Sequence, residues 1–299
     1  MRRVAGMLAA LVAAGGLAAC APEASDRPTV VVTTNILGDI ADNLVGEEVD
    51  VVTLMPANAD PHSFELSARE AASMRSADLV VSNGLGLEEG VQHHVDAAAS
   101  DGVAQFVAGD HVDPLGYAGT DAADPHFWTD PTQTARVVDA LAPVLAEIAG
   151  DGADAVDAAA AAYLGELREL DAAMSDTLGS IPADHRALVT NHHVFGYLAR
   201  RYDVRILGAA VPGGTTLAAP SASDLQELVD AIDDAGVTTI FADSSQPDRL
   251  MQVLADEAGR DVRVVSLFTE SLAPAGEPGD TYLDMMRRNL QSIADGLHP

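Results

Sequence analysis

The sequence is poor in several features that define familiar protein classes. Cys20 is the only cysteine among 299 residues, so the chain cannot form an internal disulfide. Apolar runs are also short, since the one long uncharged stretch, residues 4–19, lies at the extreme N-terminus and the rest of the chain has nothing that approaches a membrane span. The zinc-hydrolase motif HExxH is absent, which disfavours an enzyme of that type.

Positive charge is scarce as well. All 16 basic residues are arginine, against 46 acidic residues, and the formal net charge is −30. A surface of this charge repels nucleic acid, so a nucleic-acid partner is excluded. Diffuse acidity attracts cations and keeps a protein soluble, but it does not by itself form a binding site.

The N-terminus has the pattern of a bacterial lipoprotein signal. Arg2 and Arg3 precede the uncharged stretch, and small residues lead to Cys20 at the expected cleavage point. We expect residues 1–19 to be removed, Cys20 to be lipidated and residues 20–27 to tether the protein to the outer face of the cell membrane. The alternative is an ordinary secretory peptide with an unrelated cysteine, and export follows in both cases.

Residues 28–131 alternate apolar runs with helical patterns. The runs at residues 29–34, 49–54, 78–81 and 103–107 predict buried strands, with helices between them. Strands that are separated by single helices run parallel and are covered on both faces, which explains why they are apolar throughout. Residues 132–180 are rich in strong helix formers and predict one helix that ends near Gly150 and a longer one that bridges two lobes.

The alternation starts again in residues 181–299, with strands predicted at 187–190, 204–207, 238–242 and 262–267. The fold class is therefore predicted as α/β, with two lobes joined by one long rigid helix. Each lobe is predicted to contain a four-stranded, mostly parallel sheet flanked by helices. Ligands of such sheets bind beyond the carboxyl ends of the strands, so the crevice between the lobes is the expected site.

Histidines occur in loops at that side of the predicted sheets. His62 and His126 each follow an Asp-Pro pair, and proline stiffens such a loop so that it can aim an imidazole. His192 follows the first strand of the second lobe, and Asp280 begins the last predicted helix. Three imidazoles and one carboxylate suit a cation such as Zn²⁺, whereas the simpler interpretation is that each Asp-Pro marks a turn with a solvated histidine.

Five short motifs occur in an order that resembles a known family, the zinc- and manganese-binding lipoproteins of bacterial ABC importers, which are periplasmic solute-binding proteins of metal cluster A-I. The resemblance extends from about residue 28 to residue 297. Its motifs are Asp60-Pro61-His62-Ser63-Phe64-Glu65, Asn83-Gly84-Leu85-Gly86-Leu87-Glu88, Asp124-Pro125-His126-Phe127-Trp128, Asn191-His192-His193-Val194-Phe195-Gly196-Tyr197 and Gly279-Asp280-Thr281-Tyr282.

This resemblance implies that a metal ion is held between the two lobes by His62, His126, His192 and Asp280. It also implies a monomer that delivers the ion to an ABC permease in the membrane. The ion implied is Zn²⁺, with Mn²⁺ as the alternative. His193 is an alternative third ligand, although the motif around Phe195 favours His192.

The chain departs from the family at three places. His193 follows the third histidine, where the family often has Asp or Glu. Asp243 stands where glutamate is usual, and the loop before the second histidine is short and acidic, with only His111, where zinc-specific members frequently carry many histidines. A zinc metallohydrolase and a surface adhesin are the competing functions. A hydrolase would need a general base, and the sequence shows no recognisable one. No feature of the sequence points specifically to an adhesin.

Overall fold

The computed structural model describes residues 27–116, 122–211, 213 and 215–298. Cys20 and the predicted signal segment lie outside the described residues. Within these ranges, no helix is both long enough and apolar enough to cross a membrane.

The first lobe is built on a four-stranded parallel sheet with the order β2-β1-β3-β4. Val30, Val31 and Val32 of the central strand are fully buried, because helices cover both faces. Ser67 and Glu70 form the capping box that the sequence suggests for the second helix. The elements are β1 (Thr29–Val32), α1 (Asn35–Val45), β2 (Asp50–Thr53), α2 (Ala68–Arg75), β3 (Leu79–Ser82), α3 (Gln92–Ser100) and β4 (Ala104–Val107).

Two long helices follow, α4 (Pro131–Ala149) and α5 (Ala153–Ser180), and they pack against each other. The chain reverses between them in a short 3-10 turn that starts at Gly150, whose positive φ of 57° suits glycine. One face of α5 is buried along its length, from Val156 to Leu178. Because α5 contacts α1 as well as helices of the second lobe, it links the two lobes as predicted.

The second lobe contains β5 (Ala187–Thr190), α6 (Gly196–Tyr202), β6 (Arg205–Ala209), α7 (Ala222–Ala235), β7 (Thr239–Asp243), α8 (Arg249–Glu257), β8 (Arg263–Leu267) and α9 (Tyr282–Leu297). Its four strands form two hydrogen-bonded parallel pairs, β5-β6 and β7-β8. β7 lies beside β5, and at their carboxyl ends the Asn191 Oδ1 accepts the backbone N–H of Asp243 at 2.7 Å. A side chain thus joins the two pairs at the edge where the loops converge.

The predicted α/β fold with two lobes and a linking helix is confirmed, and the first lobe has the predicted four-stranded sheet. In the second lobe the four predicted strands form two separate pairs instead of one sheet. One large apolar core extends from the first sheet through α4 and α5 to α6 and α9. A separate core lies in the outer part of the second lobe, between β6 and β7 and the helices α7 and α8. The elements that surround the crevice therefore do not all share one packed interior.

Candidate metal site

Four side chains converge between the lobes. The Nε2 atoms of His62, His126 and His192 lie 2.9, 3.0 and 3.1 Å from one oxygen, Oε1 of Glu270. Each of the four residues is at most 1% exposed, and their ligand atoms all lie within 4.8 Å of one another. The sequence predicts the three histidines of this cluster but not the glutamate.

His62 is presented by the loop that follows β2. Its backbone N–H donates to Asp60 Oδ1 at 2.9 Å, which closes a tight turn through the proline between them. The imidazole Nδ1 lies 3.8 Å from the exposed carboxylate of Glu89, beyond hydrogen-bond range. The ring is therefore placed by its backbone turn and by its contact with Glu270.

His126 is held more tightly. Asp124 Oδ1 accepts its backbone N–H at 2.9 Å and also lies 2.7 Å from its Nδ1. Burial alone would lower the pKa of His126, but the hydrogen bonds to Asp124 and Glu270 outweigh it and raise the pKa to about 9. The Asp124 bond keeps a proton on Nδ1. When the proton on Nε2 is lost, the lone pair of Nε2 can therefore bind a metal ion.

The motif from Asn83 to Glu88 supports the loop of His126 through hydrogen bonds. The buried Glu88 carboxylate accepts from Thr33 Oγ1 at 2.7 Å and from the backbone N–H of Asn83 at 2.6 Å, which ties the carboxyl ends of β1 and β3 together. The Asn83 amide then donates to the Pro125 carbonyl at 3.1 Å. These hydrogen bonds connect the first sheet to the residue before His126 and so fix the position of that histidine.

His192 comes from the second lobe, two residues after β5 ends. Thr190 Oγ1 donates to the His192 carbonyl at 2.7 Å and fixes the turn. His193 points elsewhere: it is half-buried, and it lines a neighbouring cavity with Phe195 and Arg200. Of the two histidines that the sequence leaves as alternatives, the structure places His192 in the cluster.

Glu270 belongs to a segment that leaves β8 and crosses to the first lobe. Trp128 Nε1 donates to the Thr269 carbonyl at 2.8 Å, and Asn35 Nδ2 donates to Ser271 Oγ at 2.8 Å. The segment is therefore bonded on both sides of Glu270. Sequence reasoning missed this residue, although it is the first acidic side chain after the last strand, at the sheet edge where ligands were expected.

Asp280 is not part of the cluster, which corrects the ligand set suggested by the resemblance. Its carboxylate accepts the backbone N–H of Gly276 at 2.7 Å and closes a turn before α9. It does not cap that helix either, because the N-cap is Thr281. Asp280 lines an open groove with Asp39 and Asp42 instead. Ten residues after Glu270, the chain has already left the crevice.

The electrostatics of the cluster favour a charged carboxylate. Burial alone would raise the pKa of Glu270, but the charge of His192 and the hydrogen bonds from the imidazoles hold it well below its usual range. Nearby, burial and the charge of Glu270 raise the pKa of Asp243. Asp243 stands outside the cluster, where its Oδ1 accepts from the backbone N–H and the hydroxyl of Ser245.

The donor set fits a divalent metal ion. In a tetrahedral zinc site with bonds of about 2.0–2.2 Å, neighbouring donor atoms lie roughly 3.3–3.6 Å apart. The Nε2 to Oε1 separations of 2.9, 3.0 and 3.1 Å are only slightly shorter. Oε2 of Glu270 has no hydrogen-bond partner among the described residues, although it is buried. A cation would satisfy both this oxygen and the crowded nitrogens.

Comparisons with known proteins identify relatives that are named for metal binding. The family model described as "Zinc-uptake complex component A periplasmic" matches residues 30–296. The chain is similar to the manganese-binding lipoprotein MntA of Halalkalibacterium halodurans, with 27% identity over 293 residues, 97% of this chain and 96% of that protein. It is also similar to the manganese ABC transporter substrate-binding lipoprotein PsaA of Streptococcus pneumoniae, with 28% identity over 312 residues and the full length of both chains.

Solved structures show the same architecture. The periplasmic zinc-binding protein TroA of Treponema pallidum superimposes with a TM-score of 0.86 at 28% identity, over 91% of this chain and all of that one. The Mn-bound periplasmic metal-binding protein of Candidatus Liberibacter asiaticus, at 24% identity and a TM-score of 0.81 over 91% of this chain and all of that one, shares the fold. The chain therefore belongs to the family of the periplasmic A component of zinc-uptake complexes, the metal-binding lipoproteins of ABC transporters that its motifs resemble.

Proposed function

We propose that this protein captures Zn²⁺ between its two lobes and delivers it to an ABC permease in the membrane. The observation that carries the proposal is the convergence of three imidazole nitrogens and one carboxylate oxygen in a buried cluster between the lobes. His62, His126, His192 and Glu270 are the proposed ligands. Capture and delivery require no turnover, so we expect no hydrolysis of ester or peptide substrates.

The choice of zinc over manganese depends on the chemistry of the donors. Manganese prefers a harder, oxygen-rich and often six-coordinate shell, whereas three nitrogens and one carboxylate match the usual zinc set. The general order of affinities also places Zn²⁺ well above Mn²⁺. Manganese is the alternative, because two similar lipoproteins are named for that ion. The unpartnered Oε2 would let Glu270 bind through both oxygens and raise the coordination number.

The cellular setting of the proposal comes from the N-terminus and the family. Cleavage before Cys20 and lipidation of its thiol would hold the protein, as a monomer, on the outer face of the cell membrane. A tethered carrier meets its permease by diffusion in two dimensions, and residues 20–27 would serve as the tether. Mass analysis of the intact protein extracted from membranes tests the anchor, because lipidation of Cys20 adds the mass of the lipid to the chain.

Elemental analysis of the purified protein, followed by competition between Zn²⁺ and Mn²⁺ at equal free concentrations, tests the function. We expect one zinc per chain and retention of zinc in the competition. His192→Ala should lower the affinity at least 100-fold, whereas His193→Ala, at the adjacent position outside the cluster, should change it less than about threefold. Retention of manganese would overturn the choice of ion, and equal effects of the two variants would overturn the site.

A further inference from the structure

Asp60 lies two residues before His62, and its carboxylate accepts hydrogen bonds from both lobes. Oδ1 accepts from the backbone N–H of His62 at 2.9 Å and Oδ2 from Ser63 Oγ at 2.9 Å, within the same loop. Oδ2 also accepts from Thr216 Oγ1 at 2.6 Å and from Gln246 Nε2 at 3.0 Å, which belong to the second lobe. One side chain thus joins the loop of His62 to the opposite lobe.

The second Asp-Pro-His loop uses its aspartate differently. Asp124 closes the same turn, with its Oδ1 2.9 Å from the backbone nitrogen of His126, but that oxygen also bonds the imidazole Nδ1 at 2.7 Å. Asp60 makes no such bond to the imidazole of His62, whose Nδ1 has no hydrogen-bond partner among the described residues. The turn is common to both loops, whereas the side-chain bonds to Thr216 and Gln246 belong to Asp60.

The two donors from the second lobe belong to its outer part. Thr216 lies in the connection from β6 to α7, and Gln246 lies between β7 and α8. The helices α7 and α8 and one face of β7 pack in the separate outer core, whereas the loop of His62 lies beside a different apolar cluster, which includes Met55 and Phe64. A polar contact between loops that rest on different cores can open without disrupting either apolar interior. The hydrogen bonds of Asp60 therefore join two loops that rest on different apolar clusters.

A cavity of about 110 Å³ lies beside this contact. Its lining includes His192 on the metal side and Thr216 and Gln246 on the outer side. We propose that the Asp60 bonds to Thr216 and Gln246 form a latch over this cavity, and that opening of the latch limits the rate at which the metal ion leaves the site. This inference rests on the proposed metal-binding function and adds a rate-determining contact outside the ligand set.

The test measures release of Zn²⁺ from the loaded full-length protein into excess chelator by stopped flow. The variant Thr216→Val with Gln246→Ala removes the contacts across the crevice and leaves the turn of His62 intact. Ser63→Ala is the matched control, because it removes a bond to the same oxygen from within the loop. Since hydrogen bonds to a charged group are among the stronger ones, we expect release to be about tenfold faster or more in the double variant and within about twofold of wild type in the control.

Further measurements separate a latch from a change in the ligands or a damaged fold. The visible spectrum of the Co²⁺-loaded double variant should match that of the wild type, because the coordinating atoms are unchanged. Thr216→Val alone, at a half-buried loop position, should fold normally and show an intermediate rate. A wild-type release rate in the double variant, with metal bound normally, would overturn the latch alone, as would equal acceleration by Ser63→Ala. A wild-type protein that binds no metal would overturn the proposed function as well.

Discussion

Replacement of Glu270 by glutamine is the sharpest test of the metal site. Glutamine keeps the shape of the side chain and one carbonyl oxygen, but it removes the only negative charge among the four proposed ligands. Mutation of groups that merely support metal ligands costs about 10–100-fold in affinity, so loss of a charged ligand should cost at least 100-fold, or about 2.7 kcal/mol. Asp280→Asn provides the control, because Asp280 bonds the Gly276 backbone N–H and lies outside the cluster.

The metal-free protein must be measured as well. Glu270 lies 2.9, 3.0 and 3.1 Å from the three imidazole nitrogens, so its neutralisation should also lower the free energy of unfolding of the apo form, by about 1–3 kcal/mol. Urea denaturation in the presence of chelator gives this loss, and zinc titration in a metal buffer gives the affinity. Asp280→Asn should change the affinity less than about threefold. A larger effect of Asp280→Asn than of Glu270→Gln would refute the assignment of the carboxylate.

Three further results are expected. Because hydrogen bonds raise the pKa of His126 to about 9, its stabilisation of the apo protein should be complete below about pH 6.5 and lost as the pH rises through 9. Zinc displaces that proton, so calorimetry at pH 7.5 in buffers of different ionisation enthalpy should detect proton release, and zero release would contradict the site. Burial raises the pKa of Asp39 to about 6, so the wild type should lose stability as the pH rises from about 4 to about 6. Asp39→Asn removes this cost and should raise the free energy of unfolding by about 1–3 kcal/mol at pH 7.5 but not at pH 3.5. Urea titrations at both pH values decide this, and an equal gain at pH 3.5 would contradict it. Trp128→Phe removes the bond to the Thr269 carbonyl and should weaken zinc binding about 10-fold in the same metal-buffered titration, and an unchanged affinity would mean that this bond does not position Glu270.

Local chemistry explains what could be predicted. Apolar runs between helical patterns place the strands of the first lobe within one or two residues of their observed bounds. The two central strands, β1 and β3, are buried as predicted, whereas the edge strands β2 and β4 are partly exposed. Ser67 and Glu70 mark a helix start through contacts three residues apart. The resemblance, in contrast, carried Asp280 into the ligand set from a short motif. That motif is present, but its aspartate serves a turn.

The pairing of strands in the second lobe lay beyond local reasoning. The pattern predicts four strands, and four are present, but whether β5 and β7 join through backbone bonds depends on how their ends meet in space. At these ends the backbone N–H of Asp243 donates to the Asn191 side chain and not to a backbone carbonyl of β5. Such a bond between residues far apart in sequence leaves no periodic signal in either segment.

The stiff turns of His62 and His126 at the carboxyl side of parallel strands can be predicted from the sequence, since proline and the strand pattern act over a few residues. Which carboxylate joins them depends on the packing of the two lobes, because His62 and Glu270 are 208 residues apart in the chain. The tertiary structure likewise selected His192 over its neighbour, since adjacent side chains in a turn point in different directions and only one faces the crevice.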